Sequence, residues 1–242
     1  VESAIRQLSH IVTSLGSDLG CMINAGGEKL VIVGEKGIAL SNDRLLVLVT
    51  KLFLEANANV KKIAVPISAS MEVDLVAKEH NVEVVKTKDS HLGMMSAATE
   101  GGIAFVGGTR GGFIFPEFSF ATDAMFAIAK ILELFAITGE KLSSLDGRLP
   151  RLSMVECDVK CPWESKGKVM RLLMKESENR KRDFVDGIKI YFDSGEAPSS
   201  VFVMPDKERA VFHLRAEAVK DTLASTLADE YEKKILEWEG RA

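Results

Sequence analysis

Apolar positions along the chain repeat first with a helical period, then in short strand-like runs, and then with both in alternation. Residues 2–15 carry Ala4, Ile5, Leu8, Ile11, Val12 and Leu15 at helical intervals, and Gly16 follows as a C-cap. "DLGCMI" reads as a short strand. "LVIVGEKGIAL" reads as two strand-like runs around Glu35-Lys36-Gly37, a hairpin signal. Asn42 is placed to cap a helix running to about Ala56, with Leu45, Leu46, Val49, Leu52 and Phe53 on its apolar side.

A new unit is expected from Asn59. "KKIAVPIS", "VEVVKT" and "GIAFVG" are strands, separated by the helices "MEVDLVAKEH" and "HLGMMSAAT". Strands that alternate with helices at this spacing need crossover connections. That predicts a mostly parallel sheet with helices on its faces, a three-layer α/β arrangement. The Gly-rich stretch "GGTRGGFIFPEF" follows, then a long helix over 121–138 that Gly139 ends. After Pro150 the pattern becomes strand, helix, three strands and helix, with Pro162 opening the first helix. That order predicts an antiparallel sheet with two helices on one face, a C-terminal α+β domain. The expected organisation is thus 1–58, 59–150 and 151–242.

Composition narrows the function classes. Hydrophobic residues make up 46% of the 242, enough for packed cores. The net charge of −4 and the absence of a long Lys/Arg run argue against a nucleic-acid partner, and Arg180-Lys181-Arg182 is offset by Glu176, Glu178 and Asp183. No apolar run approaches ~18 residues, so no membrane span is predicted. The first residues lack the basic and apolar regions of a signal peptide, and the chain starts without Met on a helix, as a fragment of a longer protein would. Cys157 and Cys161 share a strand face about 13 Å apart, too far to bridge, so the three thiols read as reduced and the compartment as cytoplasmic.

Candidate chemistry is sparse. The turn at residues 24–29, "NAGGEK", has the shape of a carboxylate metal loop but carries only Glu28. His91 follows Asp89 and Ser90; neighbours on a chain do not face one another as a triad requires, so helix capping is the better reading. His213 lies on a strand, where a packed or surface histidine is expected. "GGTRGG" lacks the Gly-Lys-Ser/Thr ending of a nucleotide loop. Phe113, Phe115, Phe118 and Phe120 alternate, which reads as strand-core or interface packing. Arg110 stands between two glycine pairs at the tip of a βα connection. There backbone N–H groups and a guanidinium can form an anion nest.

The run of a parallel α/β unit, "GGFIFPEF", a long helix, "LP", and an α+β domain with "DGIKIYFDSG" and "FHLRAEA" resembles the α-D-phosphohexomutases, the phosphomannomutases and phosphoglucomutases. These have three related α/β domains and a C-terminal α+β domain. The resemblance implies that residues 1–58 are the end of domain two, 59–150 domain three and 151–242 domain four. "GGFIFPEF" and "CPWESKGKVMR" are most similar to the mutase-like region fused behind a mannose-1-phosphate guanylyltransferase.

The family uses a phosphoserine, a magnesium loop, a sugar-reading loop and a phosphate loop. The serine loop would lie upstream. The magnesium loop falls on residues 24–29, where Asn24, Gly26 and Glu28 stand at its aspartate positions and Lys29 at its arginine. Two anionic ligands become neutral, so no metal or other cofactor is expected. The sugar loop falls on Gly107 to Gly112, with Gly108 in place of its glutamate and Arg110 in place of its serine. The phosphate loop falls on residues 204–210, with Met204, Asp206 and Ala210 at its arginine, serine and second proline. Asp206 and Glu208 repel phosphate there, and Lys207 and Arg209 compensate in part. Lys88 lies where the family places a basic residue near the phosphosugar. The resemblance therefore implies no catalytic residue. It implies a weak site for a sugar phosphate or other anion, drawing on Lys88, Thr109, Arg110, Lys207 and Arg209. The expected role is an interaction, oligomerisation or regulatory module, with a second copy or a fused nucleotidyltransferase as its partner. The other reading is an active mutase whose serine domain lies upstream.

Overall fold

The computed structural model describes residues 1–192 and 198–240, and the chain divides after Pro150 into two units. In the first, helix α1 (Glu2–Leu15) ends at Gly16, whose φ of 63° is the left-handed cap glycine tolerates. Strands β1 (Leu19–Ile23) and β2 (Leu30–Gly34) pair antiparallel, closing Ile23 against Leu30. The second hairpin expected around Glu35-Lys36-Gly37 shrinks to one bridge between Val33 and Ala39. Ile38 is 64% exposed, so no burial holds a second strand there.

Helix α2 (Asn42–Ala56) is capped by Ser41, not Asn42. The Arg44 N–H donates to the Ser41 hydroxyl at 3.2 Å. Beyond it run β3 (Lys62–Pro66), α3 (Glu72–Glu79), β4 (Glu83–Thr87), α4 (His91–Ala98), β5 (Ile103–Gly107), β6 (Phe113–Ile114), α5 (Ala124–Thr138) and α6 (Leu142–Arg148). The sheet order is β4-β3-β5-β6. Its first three strands are parallel, and β6 is an antiparallel edge inside the stretch read as a loop. The phenylalanine alternation splits where this strand ends. Phe113 and Phe115 are buried, while Phe118 and Phe120 are 57% and 51% exposed, and Phe118 stacks on Phe126 with centroids 4.1 Å apart.

The core shows no break at 58/59. Leu45 to Val49, Leu52 and Phe53 of α2 pack in one cluster with Ile63, Val65, Val73, Phe105, Phe113 and Leu134. Helix α2 is buried on nearly all sides, so it cannot be separated from the sheet that follows it. Arg44 ties the end of the unit down: its guanidinium bonds Asp146 Oδ1 at 2.5 Å, Glu72 Oε2 at 3.1 Å and the Pro150 carbonyl at 2.6 Å.

The second unit comprises β7 (Ser153–Lys160), α7 (Trp163–Glu176), β8 (Arg182–Phe184), β9 (Ile188–Phe192), β10 (Ser199–Pro205), β11 (Val211–Ala218) and α8 (Asp221–Gly240). Its antiparallel sheet has the order β7-β11-β10-β9-β8, one short strand more than the pattern predicts. Val169 and Leu173 of α7 and Tyr231 and Ile235 of α8 share a core with Val159, Ile190, Val201 and Leu214. Residues 193–195 of the quoted "DGIKIYFDSG" lie outside the described residues. The architecture is therefore α/β with a largely parallel sheet, followed by an α+β domain with an antiparallel sheet. No helix among the described residues is long and apolar enough to cross a membrane.

Candidate functional site: a glycine-framed cleft

In the first unit, the carboxyl ends of β4 and β5 meet the β1–β2 turn. Open α/β sheets bind ligands at such strand ends. The Leu30 N–H donates to the Gly111 carbonyl at 2.9 Å, and the Ala124 N–H donates to the Gly27 carbonyl at 2.8 Å. Gly111 has a φ of 78°, and a Cβ there would lie 2.5 Å from the Leu30 carbonyl oxygen, so only glycine permits this approach. The result is a cleft of about 270 Å³. Glu28 and Lys29 line it from the turn, Asp89 and Ser90 from the residues just before α4, His91 and Met94 from α4, and Gly108, Thr109, Arg110 and Gly112 from the loop after β5, with Thr122 beside them.

The start of α4 adds unpaired backbone donors. Ser90 is the cap, accepting from the Gly93 N–H at 3.1 Å, and His91 is the first helical residue. The capping role expected of His91 thus belongs to its neighbour, and His91 faces the cleft instead. Free N–H groups of a first turn favour an anion. Lys29, His91 and Arg110 provide side-chain donors, against Glu28 and Asp89. Asp89 is already engaged, accepting from the Ser68 hydroxyl at 2.6 Å. Of the residues predicted for the site, Thr109 and Arg110 line the cleft, and the exposed Lys88 does not. Spacing alone missed Lys29 and His91 as lining groups, because the turn and α4 meet only through the fold.

The residues at 24–28 do not fit magnesium. Asn24 Oδ1 is the acceptor that closes the turn, taking the N–H groups of Glu28 and Lys29, each at 2.9 Å. Magnesium needs several hard oxygens in tight octahedral order. Here only the Glu28 carboxylate is uncommitted, and no cluster of three acidic, histidine or cysteine groups suited to a metal occurs among the described residues. Calorimetric titration with millimolar magnesium is expected to show no stoichiometric heat. A heat that Glu28→Ala abolishes would show that the turn rearranges around the ion.

The second unit holds the other two predicted residues. Lys207 is 80% exposed and lies 3.7 Å from Asp186. Arg209, its side chain 56% exposed, is already paired: its Nε donates to Asp206 at 2.9 Å and its Nη1 to Asp158 at 2.9 Å.

This order, a largely parallel α/β domain followed by an antiparallel α+β domain, is one that solved structures of the phosphoglucomutase/phosphomannomutase kind share. Residues 41–152 match the family described as phosphoglucomutase/phosphomannomutase, alpha/beta/alpha domain III, beginning just ahead of α2. A probable phosphoglucosamine mutase of Methanopyrus kandleri is 31% identical over 94% of this chain and 50% of its own length. A phosphoglucomutase/phosphomannomutase of Thermococcus kodakarensis is 30% identical over 80% of this chain and 42% of its own. The solved phosphoglucomutase/phosphomannomutase family protein of Burkholderia thailandensis superposes on all of this chain and 51% of its own, with a TM-score of 0.79 at 18% identity. Residues 41–152 thus carry domain III of the phosphoglucomutase/phosphomannomutase family, and the chain spans about half the length of the relatives it matches.

Proposed function

We propose that the chain is a phosphohexomutase-family module of sugar-phosphate metabolism that holds an anionic sugar in the first unit's cleft and transfers no phosphoryl group by itself. The observation that carries this reading is the cleft. Lys29, His91, Arg110 and the start of α4 converge on it, while the turn beside it presents one uncommitted carboxylate. Binding survives in such a site because it needs only donors. Phosphoryl transfer also needs a metal and a phosphate carrier held in place.

Melting curves with mannose 1-phosphate or a nucleotide sugar test the binding. A ligand that binds only the folded state stabilises it by about 2.7 kcal/mol at a hundredfold excess over Kd. The expected result is a rise in Tm that Arg110→Ala removes, with no hexose 1- to 6-phosphate conversion above blank in a coupled assay containing magnesium and a sugar bisphosphate. A melt unmoved at tens of millimolar ligand, or turnover of the chain alone, would overturn the reading.

In a longer protein we place the module behind a sugar-phosphate nucleotidyltransferase such as a mannose-1-phosphate guanylyltransferase, supported by "GGFIFPEF" and "CPWESKGKVMR". A second reading, an active mutase completed by an upstream phosphoserine domain, is favoured by the mutase names of relatives twice as long. The intact mass and sequence of the protein isolated from its own cells separate the two.

A further inference from the structure

Helix α5 is apolar on two sides. Ala124, Ala127, Ile131 and Leu134 face the core and are buried. Met125, Ala129, Leu132 and Ala136 are exposed, Met125 at 69% and Leu132 at 47%. At about 100° per residue these four lie within about 60° of one another, so they form one stripe along the helix. Their spacing is that of a coiled-coil seam. A helix face that stays in water usually carries charge. Lys130 and Glu133, the charged side chains of α5, lie outside the stripe and pair with each other at 3.0 Å.

The stripe has a knob at one end and a hollow at the other. Met125 projects from the first turn. In the last turn Leu132 and Ala136 form one wall of a hollow of about 410 Å³, with Leu19, Phe135 and Leu142 among its other walls. Its acidic members, Glu35 and Glu140, are already engaged, by Ser143 and Arg148. Knob and hollow lie on the same side of α5, about 16 Å apart along its axis. Such a surface is complementary to its own copy turned through 180°, which is what a two-fold interface requires. With the axis between Ala129 and Leu132, Met125 faces Ala136 of the second copy and Ala129 faces Leu132. Each contact then sets a large side chain against a small one, the arrangement that lets facing layers interdigitate.

We propose that α5 is a dimerisation helix: it pairs antiparallel with α5 of a second copy of this chain, and each Met125 seats in the other copy's hollow. The unbranched thioether side chain suits a cavity of irregular outline. A single helix pair is a small interface, so the dimer is reversible, with a Kd on the order of micromolar. None of the four stripe residues lines the glycine-framed cleft, and the proposal holds whether or not that cleft binds a sugar.

Sedimentation of the full chain from micromolar to submillimolar concentration tests it. The expected mass rises from one chain to two. Met125→Glu, at an exposed position, should keep the Tm and raise Kd at least about tenfold. Orientation is read by oxidative cross-linking. A mixture of Met125→Cys and Ala136→Cys chains should form a disulfide-linked pair that neither variant forms alone, nor the native chain with its own three cysteines. A chain monomeric throughout the range would overturn the proposal and leave the stripe to a different partner. A dimer that Met125→Glu does not weaken would place the interface on another face. Cross-linking of Met125→Cys with itself as readily as with Ala136→Cys would exclude the antiparallel pairing.

Discussion

Glu217→Gln is expected to destabilise the second unit by about 3 kcal/mol or more. The Glu217 and Lys189 side chains are each 1% exposed, with Nζ and Oε2 3.5 Å apart. Ser200 on the intervening β10 pairs directly with Glu217 and donates its hydroxyl at 3.2 Å. Neutralising the carboxylate takes one buried counter-charge away from the Lys189 ammonium, a loss that costs several kcal/mol. The pair itself contributes little net stability, because both charges were desolvated to form it. Lys189→Met combined with Glu217→Leu should therefore recover most of the loss. Urea unfolding at neutral pH measures both variants. A single-variant loss below about 1 kcal/mol would mean that water or another group compensates the ammonium.

Phe105→Ala is expected to cost the first unit about 3–5 kcal/mol. Phe105 is fully buried, with ring centroids 5.2 Å from Phe53, 5.3 Å from Phe115 and 6.0 Å from Phe113. Its removal opens a cavity among three rings fixed by α2, β6 and the segment after β6. Those elements cannot collapse together without disturbing the sheet. The effect reaches the cleft, because β5 runs from Phe105 straight into Gly107 and Gly108. The ligand-induced rise in Tm should therefore weaken along with stability. Phe118→Ala is the control. Phe118 touches the core through one face only, and its loss should cost about 1 kcal/mol or less. Equal losses at the two positions would remove the argument that burial, and not ring stacking, sets the cost.

Much of this fold is legible from short-range pattern. Gly16 and Gly139 sit in the left-handed conformation that their places after an apolar helical run predict. The β-α alternation after residue 59 and its loss after Pro150 anticipate the two kinds of sheet. The elements missed are small. Strand β6 has two residues and β8 three, and α6 buries only Leu142 and Leu145, too few positions to show a period. The packing of α2 across 58/59 is hidden from the sequence for a different reason. Helix α2 is apolar on most sides, and composition cannot say which sheet will bury it.

At the candidate sites the division is sharper. Residue types alone show that the turn at 24–29 carries one carboxylate and that Thr109 and Arg110 stand in a glycine frame. Both facts follow from local spacing, since a turn or loop of six residues is its own environment. Whether a charge is free to meet a ligand is not local. Arg209 looks available in "MPDKERA", yet it pairs with Asp158, 51 residues earlier in the chain, because β7 and β11 align Asp158 with His213. His91 likewise reaches the same cleft as Lys29 only because α4 and the β1–β2 turn meet at the end of one sheet. Strand register and helix placement come from burying the whole apolar surface at once, so the partners of these charges were set by the packed molecule and not by the segments that carry them.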